Sequence, residues 1–141
     1  MKSLPDGPQP TVGLRERKKA KTRAAIRQHA MRLFQEQGFA DTTVDQIADA
    51  AEVSPSTFFR YFPTKEDVVL ADDYDAQMVE AFRAQPPGLT PMQAIRAAMR
   101  AVFDGMPEEA LLRERDRIRM VKDVPELRAA ALDDYTRSMR L

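Results

Sequence analysis

Hydrophobic residues recur every three or four positions along most of the chain, and polar or proline-rich stretches separate the resulting segments. The first segment predicts a helix over residues 15–37, with an apolar stripe of Ile26, Ala30, Leu33 and Phe34. Gly38 is a typical helix end, and Phe39 can fold back onto the last turn.

Residues 42–62 predict two short helices joined by a tight turn. Thr43 is a good N-cap for the first, and Gln46 three residues later completes a capping box. Ser54 is a good N-cap for the second, and Pro55 suits its first helical position because no hydrogen-bond donor is needed there.

The second of these helices has two distinct faces. Phe58 and Phe62 lie four residues apart, so both point towards the first helix. The opposite face carries Ser56, Thr57, Phe59, Arg60 and Tyr61. Hydroxyls, an aromatic ring and an arginine on an exposed helix suit phosphates and base edges. The pattern is typical of a helix-turn-helix that enters the major groove, although helical bundles that bind no DNA also contain such pairs.

Downstream, the spacing predicts further helices over residues 64–83, from Thr90 to the break at Gly105, over 108–122 and over 127–141. Capping boxes open two of them, at Thr90 with Gln93 and at Asp123 with Glu126. The pattern as a whole predicts an all-α fold.

Charge is balanced over the chain but not along it. Lys+Arg and Asp+Glu both number 22, so DNA binding cannot rest on net charge. The first helix nevertheless opens with Arg15, Arg17, Lys18, Lys19, Lys21, Arg23 and Arg27, opposed only by Glu16. Basic residues at a helix start oppose the macrodipole. Beside a helix-turn-helix, this local cost favours phosphate contact over a merely solvated face.

Several classes of site find no support in the composition. The chain has no cysteine, and the single histidine, His29, borders the apolar stripe of the first helix. We recognise no catalytic triad, phosphate loop or metal-ligand cluster, so neither an enzyme nor a metal site is expected. No apolar signal core or membrane span is visible, which favours a cytoplasmic protein without membrane association. Prolines and glycines in residues 1–14 predict a disordered tail.

The run from Thr22 to Val69 resembles the DNA-binding domain of TetR-family transcriptional regulators. The matching motifs are LF-x-E-x-GF, TTV-x-x-IA and F-x-YFP-x-KE-x-V, in that order. They cover about a third of the chain, and the rest resembles the family only in being helical. The family usually has glycine where this chain has Glu52, and a positive φ there would strain glutamate by about 1 kcal/mol.

The resemblance implies a ligand-released repressor that acts as a homodimer on a palindromic DNA operator. It implies a three-helix helix-turn-helix domain over 15–63, then a helical ligand-binding and dimerisation domain over 64–141. Members usually carry two further long helices that pair in the dimer, so we expect either that the second domain is incomplete or that this chain dimerises differently. The expected DNA contacts are Arg15, Lys18, Lys19, Arg23, Thr42, Thr43, Ser54, Pro55, Ser56, Thr57, Phe59, Arg60, Tyr61 and Lys65.

A small apolar or amphipathic effector is the expected ligand of the helical body, and no other cofactor is implied. Methionine adapts to variable apolar partners, and the candidate pocket residues are Met78, Phe82, Met99, Phe103 and Met120. For any one of these residues, however, the pattern favours an ordinary bundle core over a ligand pocket. Acidic residues interleave with arginines at a spacing of two, which predicts a solvated face for Arg113, Arg115, Arg117 and Arg119.

The alternative function is a helical interaction module, such as an adaptor or antirepressor, that keeps this fold without binding DNA. Such a module would show no affinity for DNA even at low salt.

Overall fold

A computed structural model of the chain describes residues 13–71 and 74–139. These residues form no strand, and their helices are α1 (Leu14–Gln37), α2 (Val44–Ala50), α3 (Pro55–Tyr61), α4 (Lys65–Leu70), α5 (Asp75–Arg83), α6 (Pro91–Phe103), α7 (Glu108–Asp123) and α8 (Pro125–Ser138). The predicted all-α fold is therefore confirmed. Most of the expected N-terminal tail lies outside the described residues.

The chain divides into two compact units between Lys65 and Glu66. The first unit ends with Lys65, the first residue of α4, and the second contains the rest of α4 and α5 to α8. The assignment of DNA binding to one domain and ligand binding to the other stays a prediction. In the described parts of both units, no helix combines the length and apolar character needed to cross a membrane.

The first unit is organised around the inward faces of α1, α2 and α3. Nearly complete burial is shared by Ile26, Ile47, Phe58 and Phe62. Gly38 ends α1 with a φ of 87°, and the Phe39 ring lies 4.9 Å from that of Phe34. The predicted end of the first helix is thus confirmed.

Local capping defines both short helices as predicted. The Thr43 hydroxyl accepts a hydrogen bond from the Gln46 backbone N–H at 3.1 Å, and the Gln46 side chain accepts one from the Thr43 N–H at 3.1 Å. Ser54 Oγ accepts from the Thr57 N–H at 3.1 Å. Between the helices, Glu52 adopts a φ of 58°, so the side chain that replaces the family's usual glycine sits in a strained left-handed conformation.

The helix predicted over residues 64–83 is wrong in its continuity. α4 ends at Leu70, and α5 begins at Asp75. Ala71 lies outside both helices. Asp75 is in the first turn of α5, where a negative charge suits the positive N-terminal end of a helix.

The predicted capping box at residue 123 is also wrong. Asp123 is the last residue of α7, and the N-cap of α8 is Val124, which makes no side-chain cap hydrogen bond. The Val124 N–H donates to the Met120 carbonyl, so α7 continues one residue too far for Asp123 to cap the next helix. The box at Thr90 and Gln93 is confirmed.

In the second unit, α5 packs against α6 and α7 packs against α8. Ala94 and Ala98 are the buried residues of α6, because small side chains four residues apart allow a neighbouring helix to approach closely. Three large residues of the same helix are exposed, namely Met92, Ile95 and Met99, whereas Val102 and Phe103 are half-buried. The apolar face predicted for this helix is therefore mostly accessible within the described residues.

Candidate nucleic-acid interface

The outer face of α3 is exposed, and its inner face is anchored. Phe58 is completely buried, whereas the neighbouring Phe59 is 50% exposed. Their rings meet edge to face with centroids 5.4 Å apart, which holds Phe59 in a defined position. Exposed side chains on or beside this helix are Ser54, Pro55, Ser56 and Arg60, and half-buried ones are Thr57 and Tyr61. Of the seven predicted base-reading residues, five are thus exposed and two are half-buried.

The basic start of α1 forms a second exposed surface. Arg15, Lys18 and Lys19 are exposed, and Lys19 lies 3.6 Å from Glu16 in a solvent-screened pair. Arg23 differs, because its guanidinium lies 4.9 Å from the centre of the Phe62 ring. That contact joins the later part of the basic run to Phe62, the residue that follows α3.

Thr42 requires a correction. Its side chain is 1% exposed, and Oγ1 lies 2.7 Å from the Gly38 carbonyl oxygen and 3.3 Å from that of Leu33. A hydroxyl buried against two carbonyls holds the α1–α2 turn and is not available to a phosphate. Thr43 remains exposed, although its hydroxyl is engaged in the cap of α2.

Lys65 is held inside the first unit more firmly than the sequence suggested. Its Nζ donates to the Phe39 carbonyl at 2.7 Å and to the Thr42 carbonyl at 3.1 Å. It also lies 4.2 Å from the centre of the Phe39 ring. The sequence contains no signal for these contacts, since the partners lie 26 and 23 residues away.

The helical body has an apolar cleft between α5 and α6 with a volume of about 420 Å³. Its lining residues are Met78, Val79, Phe82, Arg83, Ile95 and Ala98. Met78 and Phe82 were predicted as ligand-binding residues, whereas Met99, Phe103 and Met120 do not line this cleft. The packing of α5 on α6 turns Ile95 and Ala98, rather than Met99 and Phe103, towards it.

The arginine-rich face of α7 was predicted to be solvated, and for Arg117 this is wrong. Its side chain and that of Glu114 are only 14% and 12% exposed. Arg117 Nε donates to Glu114 Oε2 at 3.0 Å, and Nη1 donates to the Val69 carbonyl at 3.1 Å. Arg113, Arg115 and Arg119 are exposed, as expected.

Across residues 13–71 and 74–139, no group of three or more His, Asp or Glu side chains is arranged to hold a metal ion.

Two family models match this chain. Residues 26–71 match the model for bacterial regulatory proteins of the tetR family, and this range contains the second half of α1 and all of α2, α3 and α4. Residues 89–141 match the model for the MftR C-terminal domain. The chain belongs to the TetR family. The second match extends the family relationship to a region that resembled it only in being helical.

Individual TetR-family relatives agree with this assignment. The HTH-type transcriptional regulator TcmR of Streptomyces glaucescens is 45% identical over 104 residues, which cover 72% of this chain and 44% of the relative. The putative mycofactocin biosynthesis transcriptional regulator MftR of Mycobacterium tuberculosis is 32% identical over 121 residues, or 84% of this chain and 61% of the relative. The chain therefore spans about half the length of the curated relatives it matches.

Proposed function

We propose that this chain is a sequence-specific DNA-binding transcriptional regulator in which α3 is the recognition helix. The observation that carries the proposal is the geometry of α3, whose polar and aromatic outer face stands exposed while Phe58 anchors its inner face. A rigidly mounted helix of this kind suits the major groove. The relatives named as transcriptional regulators support the same function.

The two exposed surfaces have different tasks in this proposal. Arg60 and the hydroxyls of Ser54 and Ser56 face base edges or nearby phosphates, and the basic start of α1 contacts the DNA backbone. Phosphate contacts supply affinity without sequence information, whereas contacts to base edges discriminate between sequences. A chain of zero net charge can bind DNA in this way because residues 15–27 carry seven basic residues and a single acidic one.

The proposal includes a dimer and an effector. A two-fold dimer would present two α3 helices about 34 Å apart on a palindromic operator. An effector in the cleft between α5 and α6 would release the DNA only by binding more tightly to a state that fits the operator poorly. Sedimentation of the saturated complex tests the dimer, and one chain per duplex would contradict it.

The effector site has its own test. Ile95→Glu should weaken binding of an apolar fluorescent dye about tenfold, equivalent to about 1.4 kcal/mol, because it places a charge in the apolar cleft. Leu132→Glu changes an exposed apolar residue on α8 and serves as the matched control. Equal effects of both substitutions would remove the cleft from the proposal.

The central test measures DNA binding by fluorescence anisotropy, from low to physiological salt. It compares duplexes from the promoter region of this protein's own gene with a scrambled duplex. Specific binding should exceed non-specific binding by at least about 10³-fold and survive physiological salt. Weak binding that is equal on all duplexes and disappears with salt would mean that only the basic segment acts. No binding at low salt would favour the helical interaction module instead.

A further inference from the structure

In the turn between α1 and α2, residues 38–43, side chains donate hydrogen bonds to several of the backbone carbonyls. Thr42 Oγ1 bonds to the Gly38 carbonyl at 2.7 Å, and Gln37 Nε2 donates to the Asp41 carbonyl at 3.4 Å. The carbonyls of Phe39 and Thr42 are both occupied by the ammonium of Lys65. Lys65 contributes to this turn from beyond α3.

The environment of the Lys65 ammonium indicates a fixed position. It is partly buried, lies over the face of the Phe39 ring and uses two of its three N–H donors on backbone carbonyls. Bonds from an ionised donor are stronger than neutral ones. The Lys65 side chain is therefore hydrogen-bonded to the turn when no DNA is bound.

The carbonyls that Lys65 holds lie at the start of α2. Thr42 directly precedes Thr43, the N-cap whose carbonyl accepts the first backbone bond of α2 from Ile47. α2 in turn packs against α3. A change at the turn is thus passed to the helix that presents Arg60 and its neighbours.

We propose that Lys65 is a positioning residue for operator recognition, acting through the α1–α2 turn and not as a phosphate ligand. This inference rests on the proposed DNA-binding function. It has a specific consequence, because the salt dependence of binding counts the phosphates that a protein neutralises. Replacement of Lys65 should reduce discrimination between sequences without changing that dependence.

The experiment compares Lys65→Met with wild type on the operator and on a scrambled duplex over a range of salt concentrations. Lys65→Met should lower operator affinity about tenfold and change non-specific affinity by less than about twofold. The slope of log K against log salt should stay the same. Lys18→Ala is the control, for which the slope should fall by about 0.9 for each phosphate that is no longer neutralised.

Two outcomes would overturn the proposal. An equal decrease in affinity on both duplexes, with a slope reduced by about 0.9 per chain, would make Lys65 a phosphate ligand. Unchanged affinity on both duplexes would show that the Lys65 side chain has no part in recognition. Circular dichroism at the assay temperature, together with a thermal melt, establishes that the variant is folded.

A measurement on the wild-type chain does not depend on how any variant folds. Brief acetylation without DNA, followed by mass spectrometry, should modify Lys65 at least about fivefold more slowly than the exposed Lys18, because two charge-assisted hydrogen bonds protect it. Equal rates would refute these hydrogen bonds and the inference with them. A wild-type chain without operator preference would instead refute the proposed function, while slow acetylation would still establish the hydrogen bonds.

Discussion

At the scale of single residues, Glu52 shows how a local departure from the family pattern is tolerated. Its φ of 58° lies in the left-handed region, where a Cβ atom crowds the backbone. The turn keeps its place because the capped helices on either side leave only residues 51–54 to connect them. The strain is thus held by the neighbouring helices.

Glu52→Gly should raise the free energy of unfolding by about 0.5–1 kcal/mol, since relief of the Cβ strain exceeds the extra backbone entropy of glycine in the unfolded chain. Urea denaturation followed by circular dichroism measures the change. Glu52→Ala is the matched control, because it removes the carboxylate but keeps Cβ. A gain with alanine as large as that with glycine would show that charge, not backbone strain, is responsible.

Arg60 belongs to the same scale, because the proposed recognition depends on what its guanidinium contacts. Arg60→Ala should cost about 1–3 kcal/mol of operator binding and relax the preference at one base position. Competition assays with single-base operator variants measure both effects. Arg32→Ala provides the comparison, since Arg32 is an exposed arginine that pairs with Glu36 on α1. An Arg60 variant that behaves like the Arg32 variant would exclude Arg60 from the site.

At the scale of elements, α4 is a short helix whose C-terminal end is completed by another helix. Val69 is the second-last residue of α4, so its carbonyl is among those that a helix cannot satisfy internally. Arg117 of α7 donates to it while pairing with Glu114. One guanidinium therefore fixes the end of α4 and neutralises a mostly buried carboxylate.

Arg117→Met should lower the free energy of unfolding of the second unit by about 2–4 kcal/mol, because the mostly buried Glu114 carboxylate would lose its ion-pair partner. Denaturation curves measure the decrease. Arg113→Met replaces an exposed arginine of α7 and should be nearly neutral. The double replacement of Arg117 and Glu114 by methionine should recover much of the stability. A double variant as unstable as the single one would contradict an effect of the unpaired charge.

At the scale of the whole molecule, the distribution of charge matters more than its sum. Equal numbers of acidic and basic residues give zero net charge, yet the basic run at the start of α1 contains a single acidic residue. Attraction to DNA acts over about a Debye length, roughly 8 Å in physiological salt. In the proposed complex, basic residues of this run that lie within that distance of the DNA would outweigh acidic residues that lie further away.

Replacing Lys18 and Lys19 with alanine should weaken binding to every duplex and reduce the salt slope by about 1 for each phosphate that the variant no longer neutralises. The control replaces Arg119 and Lys122 of α7 with alanine. It changes the net charge by the same amount as the Lys18 and Lys19 double variant and should leave the salt slope unchanged. Anisotropy titrations over a range of salt concentrations measure both. Equal salt slopes for the two double variants would show that the basic run is an ordinary solvated face that contacts no phosphate.

Much of the first unit could be predicted from the sequence because its signals are local. The N-caps Thr43 and Ser54, the glycine end of α1 and the inward pair Phe58 and Phe62 act over three or four residues. Helical periodicity and capping depend on those same short spacings. The sequence by itself therefore determined the helix-turn-helix and the face that α3 exposes.

Only the tertiary structure decided the partners of long polar side chains. Lys65 reaches carbonyls 26 and 23 residues away, and Arg117 reaches one 48 residues away. Thr42 is buried for a related reason, since its hydroxyl meets the end of α1. A spacing pattern states which way a side chain points along its own helix, whereas its partner depends on how distant helices pack.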